Sequence, residues 1–250
     1  MKKQGKTRLG FLFLGLLFFP IRLQAASPTH TIQQNIFLAK SGDFIVFSRG
    51  SQRIFILVKS ASQDSVCLEI IDFPTLLYSE RNLPQETSWK TAIHQLKSPA
   101  KVTVLYLSKK NIRAFSLCSK TSQLSPISNA QDLPLLSKFF TIPLEPAPKH
   151  LIKMKQDNLP WTPTVQIEEQ KVSKPLTTKA LHGTWPKDHT LLSETDILMY
   201  FPLPEVSVFP IWISIHLPTK GTSVLRALSV GHGATSPYHY ALPKDLELSK

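Results

Sequence analysis

Beyond its N-terminal 25 residues, the chain has no apolar run that approaches the roughly 20 residues a helix needs to cross a bilayer. We therefore expect a mature chain without a transmembrane segment, either soluble or peripheral to a membrane. Signatures of a catalytic serine are also weak. Gly221-Thr222-Ser223 lacks the second glycine of a nucleophile elbow, and Pro99 disfavours the helix that would align Ser98 with Lys101.

Cysteine is scarce, since Cys67 and Cys118 are the only two. Their spacing fits no metal motif, and neither has a nearby histidine that would make a thiolate nucleophile. We expect no metal site and no cofactor. In an oxidising compartment an even pair predicts one disulfide, here between neighbouring strands, with about 3–4 kcal/mol gained in the loop-entropy model. Two buried free thiols are the alternative.

The N-terminal residues have the three-part layout of a secretory signal. Four basic residues, the last of them Arg8, precede an apolar run from Leu9 to Phe19. Pro20 then precedes the small residue Ala25. This layout predicts a signal peptide over residues 1–25, cleaved after Ala25, and places the protein in the periplasm or cell envelope, or outside the cell. An uncleaved N-terminal anchor is the alternative.

Charge is unbalanced toward basic residues. Removal of residues 1–25 takes five of the 29 Lys and Arg and none of the 17 Asp and Glu, which leaves a net charge of +7. Because these basic residues are scattered and the chain is expected to be exported, nucleic acid is not an expected partner. The charge favours anionic surfaces, such as acidic glycans or the headgroups of a membrane contacted peripherally. An ordinary solvated surface explains the same charge without any partner.

Proline is abundant, and its 20 residues argue against a helical protein. Short β-branched and aromatic runs between Ile32 and Cys118 predict an antiparallel meander, including a hairpin of residues 102–107 and 112–118. One short helix is predicted from Trp89 to Leu96, with Thr87 or Ser88 as its N-cap. The predicted fold is mainly β. It comprises two sandwich-like β-rich lobes, residues 26–120 and 181–250, joined by a Pro-rich connection over residues 121–180.

Alternation along the second lobe predicts which of its side chains are buried. Ile211, Ile213 and Ile215 fall on one face of a strand and Trp212 and His216 on the other. We predict that the second face is open or partly open and binds a partner. Trp185, in the segment from Gly183 to Asp188, is either a neighbouring platform for a sugar ring or a plug that seals the lobe.

Five histidines between residues 182 and 239 give an alternative with acid–base chemistry. Asp188 with His189 or His232 would supply the groups of a hydrolase acting on envelope polymers. Such a site requires the histidines to meet Asp188 in one cleft. Surface or turn histidines explain the same residues without any site.

Two resemblances to known families are visible. The segment from Gly42 to Phe47 is similar to the first core strand of papain-like cell-wall peptidases of the NlpC/P60 type, but the upstream cysteine and the following histidine of that family are missing. Abundant Lys, Ser and Leu, with only nine glycines, two cysteines and a short signal, resemble the uncharacterised exported proteins of chlamydiae. This resemblance implies an envelope or secreted location.

Our leading functional hypothesis is a non-catalytic envelope module that binds a protein or glycan partner or serves a structural role. The hydrolase and a secreted effector are the alternatives.

Overall fold

The computed structural model describes residues 30–74, 88–95, 101–127, 132–155, 157–217, 221–243 and 246. The predicted signal peptide and Leu96, the last residue of the predicted helix, lie outside these ranges. Within them no helix is long and apolar enough to cross a membrane.

Thirteen strands and three short helices make up the described part of the chain. The helices are α1 (Ile32–Ile36), α2 (Trp89–His94) and α3 (Asp132–Thr141). The strands are β1 (Phe44–Arg49), β2 (Gln52–Ala61), β3 (Ser65–Pro74), β4 (Lys101–Ser108), β5 (Ile112–Cys118), β6 (Gln123–Pro126), β7 (Glu145–Pro146), β8 (Thr164–Ile167), β9 (Lys174–Pro175), β10 (Lys179–Thr184), β11 (Asp196–Phe201), β12 (Trp212–Leu217) and β13 (Gly221–Gly231).

The strands form one sheet in the order β6-β5-β4-β3-β2-β1-β13-β12-β11-β10-β7, with β8 and β9 attached beside β13. All pairings are antiparallel except the one between β13 and β8. The predicted mainly β fold is confirmed, as are the meander and the hairpin of β4 and β5. The chain reverses between β1 and β2 within two residues, because Gly50 at φ +54° supplies the first central position of a type II′ turn.

The predicted lobes are linked more closely than a flexible connection would allow. β1 of the first strand-rich segment pairs along its length with β13 of the last, from Phe44 opposite Gly231 to Ser48 opposite Arg226. Both segments therefore belong to one sheet. The connection itself contains β6 to β9 and α3. The division into separate domains stays a prediction.

Alternation along β1 sends side chains into two separate cores. Ile45 and Phe47 enter the first core, together with residues of both strand-rich segments such as Val58 and Met199. Phe44 enters the second core, which α2 and the C-terminal residues cover. The continuous apolar run of β1 follows from burial on both faces of the sheet.

Helix α2 begins where the sequence indicates, with Ser88 as N-cap accepting a hydrogen bond from the amide of Thr91. The expectation of a single helix is wrong, since α1 and α3 also form. Helix α1 begins with a capping box in which Thr31 and Gln34 bond each other's backbone amides. Helix α3 lies within residues 121–180, which we predicted as a Pro-rich connection.

Candidate functional site

A cluster of aromatic rings and one lysine lies on the face of β11 and β12. We define the aromatic surface as Lys153, Trp161, Tyr200 and Trp212. The Trp161 ring meets Trp212 edge-on at 4.7 Å between centroids and Tyr200 at 5.5 Å. The Nζ atom of Lys153 lies 4.4 Å from the centre of the Trp212 ring and 5.3 Å from that of Trp161. Both indoles are half-buried, and Lys153 is exposed.

Backbone hydrogen bonds hold the Lys153–Trp161 segment against the sheet. Tyr200 stands beside Trp212 because the two residues are paired across β11 and β12. The amide of Lys153 donates to the Tyr200 hydroxyl at 3.1 Å, and the amide of Trp161 donates to the carbonyl of Lys153 at 2.9 Å. Burial raises the pKa of Tyr200, so the hydroxyl stays neutral. Such a ring cluster with one cation can stack on a flat ligand and attract its negative charge.

The residues predicted to bind a partner are separated in the structure. Trp212 belongs to the aromatic surface. His216 is exposed at the far end of β12, where its Nδ1 atom lies 3.1 Å from the Thr222 hydroxyl. Trp185 is 2 % exposed and packs within the first core, so it presents no free ring face. Of the isoleucines expected to be buried, Ile211 and Ile213 are, whereas Ile215 is half-buried.

Asp188 is the centre of a local hydrogen-bond network. Its Oδ2 atom accepts from Lys138 Nζ at 2.7 Å and from Trp185 Nε1 at 2.8 Å. Its Oδ1 atom accepts from the amide and hydroxyl of Thr190 at 2.9 and 2.6 Å. Lys138 and then the Thr190 hydroxyl hold the pKa of Asp188 well below its usual range. A carboxylate so stabilised is a poor proton acceptor and a good structural anchor.

Among the described residues, the histidines of the hydrolase alternative form no hydrogen bond with this network. His232 is bonded through Nδ1 to Asp43 at 2.7 Å, and its Nε2 lies 3.2 Å from the carbonyl oxygen of Glu205. The hydrogen bond to Asp43 raises the pKa of His232 against the opposing effect of burial. His189 is exposed on the turn that contains Asp188. Within the described ranges no hydrogen bond or ion pair joins Asp188 to either histidine, and no group of residues could hold a metal.

The predicted disulfide is wrong. Cys67 is buried on β3, Cys118 is exposed at the end of β5, and both are free thiols. Strand β4 lies between them. Across the sheet Cys67 aligns with Tyr106 and then Arg113, so Cys118 is five residues further along β5. At about 3.3 Å per residue this offset alone is roughly 16 Å, beyond the separation of about 7 Å that a disulfide can bridge. Burial, and then the charge of Glu69, raises the pKa of Cys67 to about 11.

A buried ion pair beneath the C-terminal residues was not predicted. Glu69, fully buried on β3, accepts from Lys59 Nζ at 2.9 Å and from the Ser236 hydroxyl at 2.8 Å. Lys59 Nζ also donates to the carbonyl of Tyr238 at 3.0 Å and lies 3.4 Å from the centre of the Tyr240 ring. A cavity of about 380 Å³ opens beside this pair. These bonds fasten residues 234–240 to the sheet.

Sequence signals for these unpredicted groups were present but weak. Trp161 lies between two prolines, Pro160 and Pro163, in a segment that we had treated as a connection. An aromatic residue there indicates a fixed contact rather than a free linker. Glu69 interrupts the apolar run from Val66 to Ile71. A charge inside a strand buried on both faces indicates a buried partner of opposite charge.

Together these features define a mainly antiparallel β protein with two cores and a partly exposed aromatic surface. The family model described as CT021 protein matches residues 54–180. A solved structure, that of the hypothetical protein CT021 from Chlamydia trachomatis, shares 37% sequence identity with a TM-score of 0.71. That match covers 87% of this chain and 100% of the solved chain. No curated protein matches the chain. The chain belongs to the CT021 family, and the predicted resemblance to chlamydial proteins is confirmed.

Proposed function

We propose that this protein is an exported, non-catalytic module of the cell envelope that binds an acidic glycan on the aromatic surface. The single observation that carries the proposal is the partly exposed pair of indoles, Trp161 and Trp212, with Lys153 beside both rings. Among the described residues Asp188 makes no hydrogen bond to His189 or His232, which favours binding over hydrolysis.

The chemistry of the aromatic surface suits an acidic sugar. Indole faces pack against the C–H groups of a pyranose ring, and their rigidity keeps the entropic cost of binding low. Lys149 and Lys155 are also exposed, four residues before and two residues after Lys153 in the chain. A carboxylated or sulfated oligosaccharide would be attracted to this charge, which agrees with the basic character of the predicted mature chain.

Export is the second part of the proposal, and the layout of residues 1–25 supports it. We expect the cellular protein to begin at Ala26 and to fractionate with the periplasm or envelope. N-terminal sequencing of the protein from separated cell fractions measures both properties. A chain that starts at Met1 in the cytoplasmic fraction would refute export, and recovery from the medium would favour the effector alternative.

Tryptophan fluorescence tests glycan binding directly. Trp89 and Trp185 are 5 % and 2 % exposed, so a bound sugar acts mainly on Trp161 and Trp212. We expect an oligogalacturonate to change the emission in a saturable way and a neutral oligosaccharide of equal length to bind at least tenfold more weakly. Lys153→Ala should weaken oligogalacturonate binding about three- to tenfold, as expected for one exposed charge contact.

Lys120→Ala is the matched control. Lys120 is also an exposed lysine, but it lies in the turn between β5 and β6, six or more strands away from β12 in the sheet order. Its loss should leave binding unchanged. Equal effects of the two lysine variants would indicate attraction to overall charge and would contradict a site on the aromatic surface. Trp161→Ala tests stacking of the sugar on the indole. Unchanged binding by that variant would also contradict a site on the aromatic surface.

A further inference from the structure

A second, apolar groove lies on the opposite face of β12 from Trp212. Its volume is about 340 Å³, at the lower end of the range of about 300–1,000 Å³ that is typical of small-molecule sites. Ile213, Ile215 and Leu225 of β12 and β13 form one side of it. Ile54 of β2, Phe139 of α3 and Leu192 also line it.

The apolar side chains of this groove are incompletely covered. Ile54, Phe139, Leu192, Ile215 and Leu225 all pack against the first core and yet remain half-buried. Among these, Ile215 is the residue whose alternation predicted full burial. The groove is therefore an extension of the core that stays open, and burial of its surface by a ligand would be favourable by about 25 cal/mol per Å².

One cation lines the groove. Arg49, the last residue of β1, is exposed and is the only charged residue in the lining. Within the described part of the chain the Arg49 side chain makes no hydrogen bond or ion pair. The charge of Arg49 acts on Asp72. However, Asp72 is paired across β3 and β4 with Lys101, whose charge acts on Asp72 more strongly than that of Arg49 does. The guanidinium therefore keeps free donors for an anionic ligand.

We propose that this groove binds a medium-chain fatty acid, with the carboxylate on Arg49 and the alkyl chain along the apolar side chains. The apolar lining selects a hydrocarbon, and the single unpaired guanidinium selects an anionic head. This inference is independent of the glycan proposal, because the two surfaces share no residue.

Calorimetric titration of the purified mature chain with dodecanoate tests the proposal. We expect saturable binding of one dodecanoate per chain, with 1-dodecanol and dodecyltrimethylammonium binding at least tenfold more weakly. Arg49→Met keeps the alkyl stem and removes the charge, so it should weaken dodecanoate binding about tenfold or more while leaving the weak binding of dodecanol unchanged. Arg226→Met, an exposed arginine on β13 that does not line the groove, is the matched control and should bind dodecanoate like the native chain.

A variant that fills the groove gives a second readout. Leu192→Trp places a larger side chain from an irregular segment into the cavity, and it should abolish dodecanoate binding while the melting temperature stays within a few degrees. The proposal fails if native protein does not bind dodecanoate, or if Leu192→Trp binds it normally. It also fails if Arg49→Met and Arg226→Met behave alike. Equal affinity for dodecyl phosphate would show recognition of any anionic amphiphile and would overturn the assignment to a fatty acid.

Discussion

Gly42 is the residue with the tightest backbone constraint at the turn into β1. Its φ of +91° lies in the region that favours glycine, and an added Cβ would lie 3.1 Å from the Cα and N atoms of Gly233. The amide of Ala234 donates to the Gly42 carbonyl at 3.0 Å, which holds the two segments together. Gly50 has a positive φ of +54° as well, but a Cβ there would meet nothing within 4 Å.

We predict that Gly42→Ala destabilises the protein more than Gly50→Ala does. The positive φ costs an alanine about 1–2 kcal/mol at either position. At Gly42 the contact with the backbone of Gly233 adds about 1–3 kcal/mol, because backbone cannot rotate away as a side chain can. Urea unfolding of both variants measures the free energies of unfolding. Equal losses in the free energy of unfolding would show that residues 233–234 shift to accommodate the added Cβ without destabilising the protein.

At the scale of single residues, the sequence predicts which way a side chain points better than it predicts which residues that side chain contacts. Alternation correctly predicts the burial of Ile211 and Ile213, and a cap motif correctly marks the start of α2 at Ser88. The disulfide failed because the distance between Cys67 and Cys118 depends on strand order. The aromatic surface was found only in part, since Trp212 meets Trp161 through a fold of the intervening chain that no local pattern encodes.

Asp188 joins two structural elements, α3 through Lys138 and the turn after β10 through Trp185 and Thr190. Because its pKa is lowered by these bonds, its contribution to stability is complete above the unfolded value of about 3.9. That contribution is lost as the pH falls below this value toward the lower folded pKa.

We predict that Asp188→Asn lowers the melting temperature at pH 7 and that the gap between native and variant protein narrows below about pH 4. Asp64→Asn is the control, since Asp64 pairs with Lys109 on an exposed surface, where an ion pair contributes about 0–1 kcal/mol. Thermal melts from pH 7 to pH 3 measure the gap. A constant difference over this range would contradict a role for the Asp188 charge.

Elements within the Pro-rich segment were the hardest to predict. Prolines indicated a connection over residues 121–180, yet Pro126, Pro146 and Pro175 each belong to a strand. Strands β6 and β7 end the main sheet order, and β9 pairs only with β8. Edge strands of this kind tolerate proline because one side of the strand needs no donor. Composition therefore indicated irregular structure where short edge strands form.

Across the whole molecule, the pairing of β1 with β13 joins the two strand-rich segments into one sheet. The first core takes residues from both segments, such as Ile45 and Met199. Loss of either segment would expose that core, and loss of the last segment would also leave β1 unpaired along one edge.

We predict that the mature chain unfolds in a single cooperative transition. Differential scanning calorimetry should give equal calorimetric and van't Hoff enthalpies, and melts followed by tryptophan fluorescence and by far-ultraviolet circular dichroism should coincide. Two separated transitions would instead show that the lobes over residues 26–120 and 181–250 are independent domains.

Because Phe44 pairs with Gly231, β1 is synthesised long before its partner strand β13. At about 5–20 residues per second, synthesis of the intervening segment takes on the order of 10–40 s. Throughout that interval β1 has one unpaired edge and two apolar faces, which is the state most prone to join another chain. The sheet can close only after β13 has been synthesised. A nascent chain with this topology depends on a delay in folding until β13 is available. Translocation across a membrane in the unfolded state would provide that delay.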